Sequence, residues 1–189
     1  MLKSFAALII AVLLGVGSAL ALIYHPPMNS GVKNGAWTTN LNVGSANAGM
    51  YLRAVIARVA LFALNKTETI YYSADRDDAG ERLRSGCDYR IEGRSIPSRW
   101  WSITLYGADN FLVPNQQRRY SYNMKNLARE PDGSYKIFIS RTAKEGNWIP
   151  SGDRDQQITL SLRCYNPEPI VYEKPDAIEL PKIIREACR

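Results

Sequence analysis

Trp100-Trp101-Ser102-Ile103-Thr104-Leu105-Tyr106 is the stretch that decides the fold. Trp101, Ile103 and Leu105 alternate with Trp100, Ser102, Thr104 and Tyr106, so one face is apolar and the other is polar but aromatic. Successive side chains of a strand point to opposite sides, and this period of two marks a half-buried β-strand. Strand-like segments of similar length recur at 68–73, 87–92, 111–113, 119–123, 135–140 and 158–165. Turn formers separate them: Asp78-Ala79-Gly80, Gly107-Ala108-Asp109-Asn110, Asp132-Gly133, Ser151-Gly152-Asp153 and Asn166-Pro167. Many short strands at this spacing predict a mainly β, antiparallel sandwich or barrel.

Working outward, one internal helix breaks the β pattern. Leu52, Val55, Ile56, Val59 and Phe62 follow an i, i+3, i+4, i+7 stripe. That spacing predicts an amphipathic helix over 47–65, packed on a sheet, with Ser45 or Asn47 capping its start and Asn65 its end. A short C-terminal helix is predicted over 180–187, opened by Pro181. Residues 26–46 are rich in Gly, Asn, Ser and Pro and read as a linker and extended arm, after Pro26-Pro27 stops any preceding helix. The globular domain is therefore expected over 47–189.

Residues 5–24 carry no charge and follow a lone Lys3. At about 1.5 Å per residue such a helix spans roughly 30 Å, the thickness of a bilayer core. Ala19-Leu20-Ala21 also has the small-x-small pattern of a cleavage site. Residues 1–25 thus predict a signal anchor, with a cleaved signal peptide as the alternative. In the first case the protein is a single-pass protein of a bacterial inner membrane with a cytoplasmic N-terminus and a periplasmic domain; in the second it is free in the periplasm.

The 189-residue chain has a formal net charge of +6. Its arginines are scattered and interleaved with acids, which argues against nucleic acid and suits anionic lipid headgroups. There are three cysteines. Cys164 alternates with Ile158, Leu160 and Leu162 on an apolar strand face and reads as a buried hydrophobe. An exported compartment permits disulfides, so Cys87 and Cys188 are expected to pair and tie the tail to the domain.

The catalytic inventory is thin. The single histidine, His25, sits at the end of the apolar segment, which removes His-based triads and multi-His zinc sites. The acidic run 75–81 opens like a calcium loop, but Ala79 occupies the fifth position and Gly86 the twelfth, so no metal site is expected. No cofactor motif appears. The polar aromatic face formed by Ser102, Thr104 and Tyr106 can line a ligand pocket, joined by Arg119, Asn147 and Trp148 if their segments lie nearby.

Seven blocks occur in a recognisable order: Asn34-Gly35-Ala36-Trp37, Glu68-Thr69-Ile70-Tyr71, Trp101-Ser102-Ile103-Thr104-Leu105-Tyr106, Arg119-Tyr120-Ser121, Asp132-Gly133-Ser134, Asn147-Trp148-Ile149-Pro150 and Leu162-Arg163-Cys164-Tyr165-Asn166-Pro167. Together, over roughly residues 34–185, they resemble the bacterial domain-of-unknown-function family 1214. Ile149 and Cys164 depart slightly from its pattern. The resemblance implies a jelly-roll-like β-sandwich. It also implies a companion, domain-of-unknown-function family 1254, here supplied by a separately encoded partner. It brings no established reaction and no catalytic residues.

Three functions fit the sequence. The first is a non-catalytic envelope module that binds a partner domain or ligand. The second is a His-independent enzyme acting on envelope or external glycans, with Glu68 as acid or base, Tyr106 as proton donor and Arg119 as anion clamp, provided the three converge. The third is carriage of a lipid or other hydrophobic ligand, which requires an open apolar cavity. Self-association stays open.

Overall fold

The computed structural model describes residues 2–25, 31–59 and 61–188. The linker prolines Pro26 and Pro27 lie outside the described residues. An apolar helix, α1 (Leu2–Tyr24), leads into a mainly β domain of two sheets. The strands are β1 (Val32–Asn34), β2 (Trp37–Thr39), β3 (Thr69–Ala74), β4 (Cys87–Gly93), β5 (Ser98–Gly107), β6 (Ser121–Asn123), β7 (Tyr135–Ser140), β8 (Asn147–Pro150), β9 (Ile158–Pro167) and β10 (Lys182–Cys188). Two short helices, α2 (Met50–Arg58) and α3 (Pro169–Glu173), are inserted between them. One sheet has the order β1-β2-β3-β9-β5-β6 and the other β10-β4-β7-β8.

Alternation decides which side of each strand enters the core. Trp101, Ile103 and Leu105 of β5 are buried beside Leu160, Leu162 and Cys164 of β9. Tyr89 and Ile91 of β4 and Tyr135, Ile137 and Ile139 of β7 supply the facing layer. Trp101 and Tyr135 stack across the gap with centroids 5.2 Å apart, so the sheets meet face to face as a sandwich. The outer face of the larger sheet keeps the polar half of each alternation.

The structure corrects four local expectations. Residues 180–187 are not a helix: the tail forms β10 on the edge of β4, with Cys188 in register with Cys87. Pairing to an open edge, the buried Ile183 and the Cys87–Cys188 disulfide outweigh local helix propensity there. The short helix lies earlier, at Pro169–Glu173. Residues 111–113 contribute only the single bridge of Leu112 to Tyr106. Asn147–Pro150 is a strand, and it pairs with β7 in parallel, so the smaller sheet is mixed.

The fourth correction concerns the amphipathic helix, which covers only Met50–Arg58 and has none of its residues buried. Gly49 is its N-cap, without a side-chain cap. Ser45 and Asn65 instead close turns on either side, accepting from the Asn47 and Thr67 amides at 3.1 and 2.9 Å. Gly44, at φ 73°, brings the two ends of this excursion together. A Cβ there would stand 2.0 Å from the Leu64 carbonyl oxygen, so no other residue fits without movement. The excursion is thus closed at its base while α2 stands off the sheet.

Candidate functional site

The space beneath α2 is the candidate site. A cavity of about 810 Å³ lies between the helix and the outer face of β2, β3, β9 and β5. Its volume falls within the range of small-molecule sites. Leu52 and Val55 of α2, with Val59 at its C-cap and Leu61, form one apolar wall. The opposite wall is the polar half of the sheet, where Tyr71 stands opposite Arg163 and Ser73 opposite Ser161. The Tyr71 hydroxyl accepts from the Leu64 amide at 3.1 Å and ties the base of the excursion to this wall.

Arg163 is the single charged side chain lining the cavity among the described residues. Its Nη2 donates to the Tyr106 hydroxyl at 2.7 Å, and its guanidinium lies 5.6 Å from the Tyr106 ring centre. Its Nε is buried without a hydrogen-bond partner, and no carboxylate pairs with it among the described residues. The Tyr106 hydroxyl accepts from Arg163 and keeps its own proton to donate. Two donors therefore face an apolar wall.

A second cavity of about 490 Å³ lies beside Cys87–Cys188 and is lined by Arg76, Arg82, Arg84 and Arg185. Its arginines have partners. Arg84 meets Asp155 at 2.5 Å, which holds the Asp155 carboxyl below the usual range. Arg185 meets Asp77 at 2.9 Å. The acidic run serves the fold here: Asp77 accepts from the Glu81 amide at 2.9 Å, and Asp78 accepts from the Ile183 amide, holding β10.

A family model described as "Protein of unknown function (DUF1214)" matches residues 68–169, just over half of the chain. The chain belongs to the DUF1214 family. A solved structure of the VPA0106 protein from Vibrio parahaemolyticus matches this DUF1214 chain with a TM-score of 0.60 at 22% identity, over 75% of this chain and 36% of that one. An uncharacterized protein from Burkholderia cenocepacia matches with a TM-score of 0.41 at 20% identity, over 65% and 30% of the two chains. This chain therefore spans about a third of the length of these solved relatives. No curated protein matches it.

Within the DUF1214 segment the residues singled out from sequence separate. Tyr106 lines the cavity. Ser102 and Thr104 share its face but are buried beside β6, opposite Asn123 and Ser121, and do not line the cavity. Asn147 is a structural clamp: its amide donates to the Ala128 and Lys136 carbonyls, each at 2.8 Å, and accepts from the Ala128 amide at 2.8 Å. Trp148 is buried, with its indole donating to the Ser140 carbonyl at 3.1 Å. Arg119 reaches the Trp148 carbonyl at 3.3 Å, toward the other sheet.

Glu68 does not join them. It is exposed, one residue before Thr69, which stands opposite Tyr165, which in turn stands opposite Trp100. Tyr106 lies six residues further along β5, roughly 20 Å at ~3.3 Å per residue. Glu68, Tyr106 and Arg119 thus share no reacting centre. Arg163 is not among the residues expected from sequence, because the apolar half of β9 dominates that strand's pattern. The signal was available, since Thr159, Ser161, Arg163 and Tyr165 form that strand's polar half.

Proposed function

We propose that this chain is an exported β-sandwich module, tethered to the envelope membrane by α1, whose function is to bind a ligand in the cavity beneath α2. The observation that carries this is the cavity itself, with apolar residues on one side and a lone cation on the other. Export is supported by Lys3–Tyr24, an apolar helix with mean hydropathy 2.7, and by the Cys87–Cys188 disulfide, a bond kept in oxidising compartments. Tethering is supported by what surrounds α2. Met50 and Phe62 project into solvent, 79% and 96% exposed, and Arg58 lies 5.0 Å from the Tyr24 ring centre at the end of α1. Such side chains suit a membrane interface.

Two measurements test this. Alkaline phosphatase fused to the C-terminus is active if the domain is exported, and inactivity rejects export. Native mass spectrometry of the full chain, extracted in mild detergent, should show a bound mass that Val55→Trp removes by filling the cavity. Absence of any bound mass from the unmodified chain rejects the binding role.

A further inference from the structure

We propose that the cavity beneath α2 takes an anionic amphiphile, its carboxylate or phosphate held by Arg163 and Tyr106 and its hydrocarbon tail laid along α2. This rests on the binding role proposed above and names the ligand class.

The head-group end follows from unmet hydrogen bonding. Buried guanidinium atoms are ordinarily paired, because leaving one unpaired costs the desolvation of a charged donor. The Arg163 guanidinium lines the cavity, and no carboxylate balances it among the described residues, while its Nε has no acceptor within the fold. The guanidinium fork matches two oxygens of a carboxylate or phosphate. Tyr106, already accepting from Arg163, has a proton for a third contact. A neutral ligand leaves the charge unbalanced, and a cation is repelled.

The tail end follows from the opposite wall. Leu52 and Val55 stand one helical turn apart on the cavity side of α2, and Val59 at its C-cap and Leu61 extend that surface. Small inorganic anions have no use for it. The cavity also reaches Leu22, near the end of the apolar helix α1, so its rim adjoins the segment that would sit in lipid. Two sources share this chemistry: a phospholipid or fatty acid resident in the bilayer, and a soluble short-chain amphiphile.

The test uses the full chain in phosphatidylcholine nanodiscs, with a dansyl-labelled undecanoic acid and its methyl ester as probes. The acid should bind at least about tenfold more tightly than the ester, the usual scale of a charge-assisted hydrogen bond. Arg163→Gln should bring the acid down to the ester's level and leave the ester unchanged. Tyr106→Phe, which removes only the hydroxyl, should weaken the acid by a smaller factor. Val55→Trp should abolish both. Displacement of the acid by phosphatidate in the disc identifies a membrane source, and displacement by soluble decanoate an aqueous one; either outcome supports the ligand class. Equal binding of acid and ester, or displacement by neither competitor, overturns the ligand class while the binding role stands. Failure of both probes to bind overturns the binding role as well.

Discussion

Cutting the Cys87–Cys188 bridge by Cys188→Ser gives a loss that can be worked from the fold. The two sulfurs close a loop with a sequence separation of 101. In the chain-entropy account, a loop of that length constrains the unfolded chain by about 4–5 kcal/mol. The site adds little else, because Cys188 is exposed and its replacement leaves no cavity. Cys87 is buried, so Cys87→Ser should cost more than Cys188→Ser by the burial of a hydroxyl among apolar neighbours. For a domain of this size the entropic loss corresponds to a fall in Tm of roughly 10–20 °C. The assay is thermal unfolding of the full chain followed by tryptophan fluorescence, which reports on Trp37, Trp100, Trp101 and Trp148 of the β domain rather than on α1. Reductant should bring the unmodified protein down to the Cys188→Ser value and leave that variant unmoved. A Cys188→Ser protein within about 1 kcal/mol of the unmodified one would refute the reasoning, since β10 would then hold by strand pairing and Ile183 alone.

Asn147→Ala removes three hydrogen bonds that join β8 to β7 and the loop before it, and should cost roughly 2–4 kcal/mol in urea unfolding without changing amphiphile binding. Gly44→Ala places a methyl group against the Leu64 carbonyl and should open the excursion that carries α2, weakening probe binding severalfold while the unfolding midpoint of the sandwich moves little. Burial pushes the Cys164 thiol from 9.0 up to about 12. The folded state therefore keeps a proton that the unfolded state has released, and stability should fall as pH rises through that window, by up to about 1.4 kcal/mol per pH unit. Cys164→Val should flatten that slope between pH 9 and 10, checked by urea unfolding at each pH; a slope unchanged by the substitution rejects the assignment.

The sandwich was legible in sequence because its central strands are also its most regular. β5 and β9 pair along nearly their whole lengths; burial along β9 follows its alternation, and in β5 the apolar half of the alternation fills the core although Ser102 and Thr104 are buried as well. The disulfide was legible because the only other cysteine lies on an apolar strand face. Where local pattern and tertiary context conflict, sequence failed. Lys182–Cys188 carries helix-forming residues but adds to an open sheet edge. Asn147 and Trp148 offer polar tips that suggest a ligand, yet every one of those groups is spent on backbone partners within the fold. No pattern in sequence distinguishes a polar group used for folding from one left over for binding. That distinction requires knowing which strands are neighbours.

Arg163 shows how the distinction works in practice. In this basic chain, Arg84, Arg90, Arg94 and Arg185 each meet a carboxylate, and all four sit where water reaches at least part of the side chain. Arg84 and Arg94 meet carboxylates that are themselves about half exposed, and a surface pair of that kind contributes little, because solvent takes over. Arg163 meets no carboxylate among the described residues, and its Nε, like that of Arg185, is buried without an acceptor. A threonine at that position would continue the Thr159 and Ser161 pattern and leave no buried donor unmet, at the loss of the hydrogen bond to Tyr106. Under the binding role proposed here, the charge is used when something negative enters the space beneath α2, and the apolar wall facing it favours a molecule with a tail.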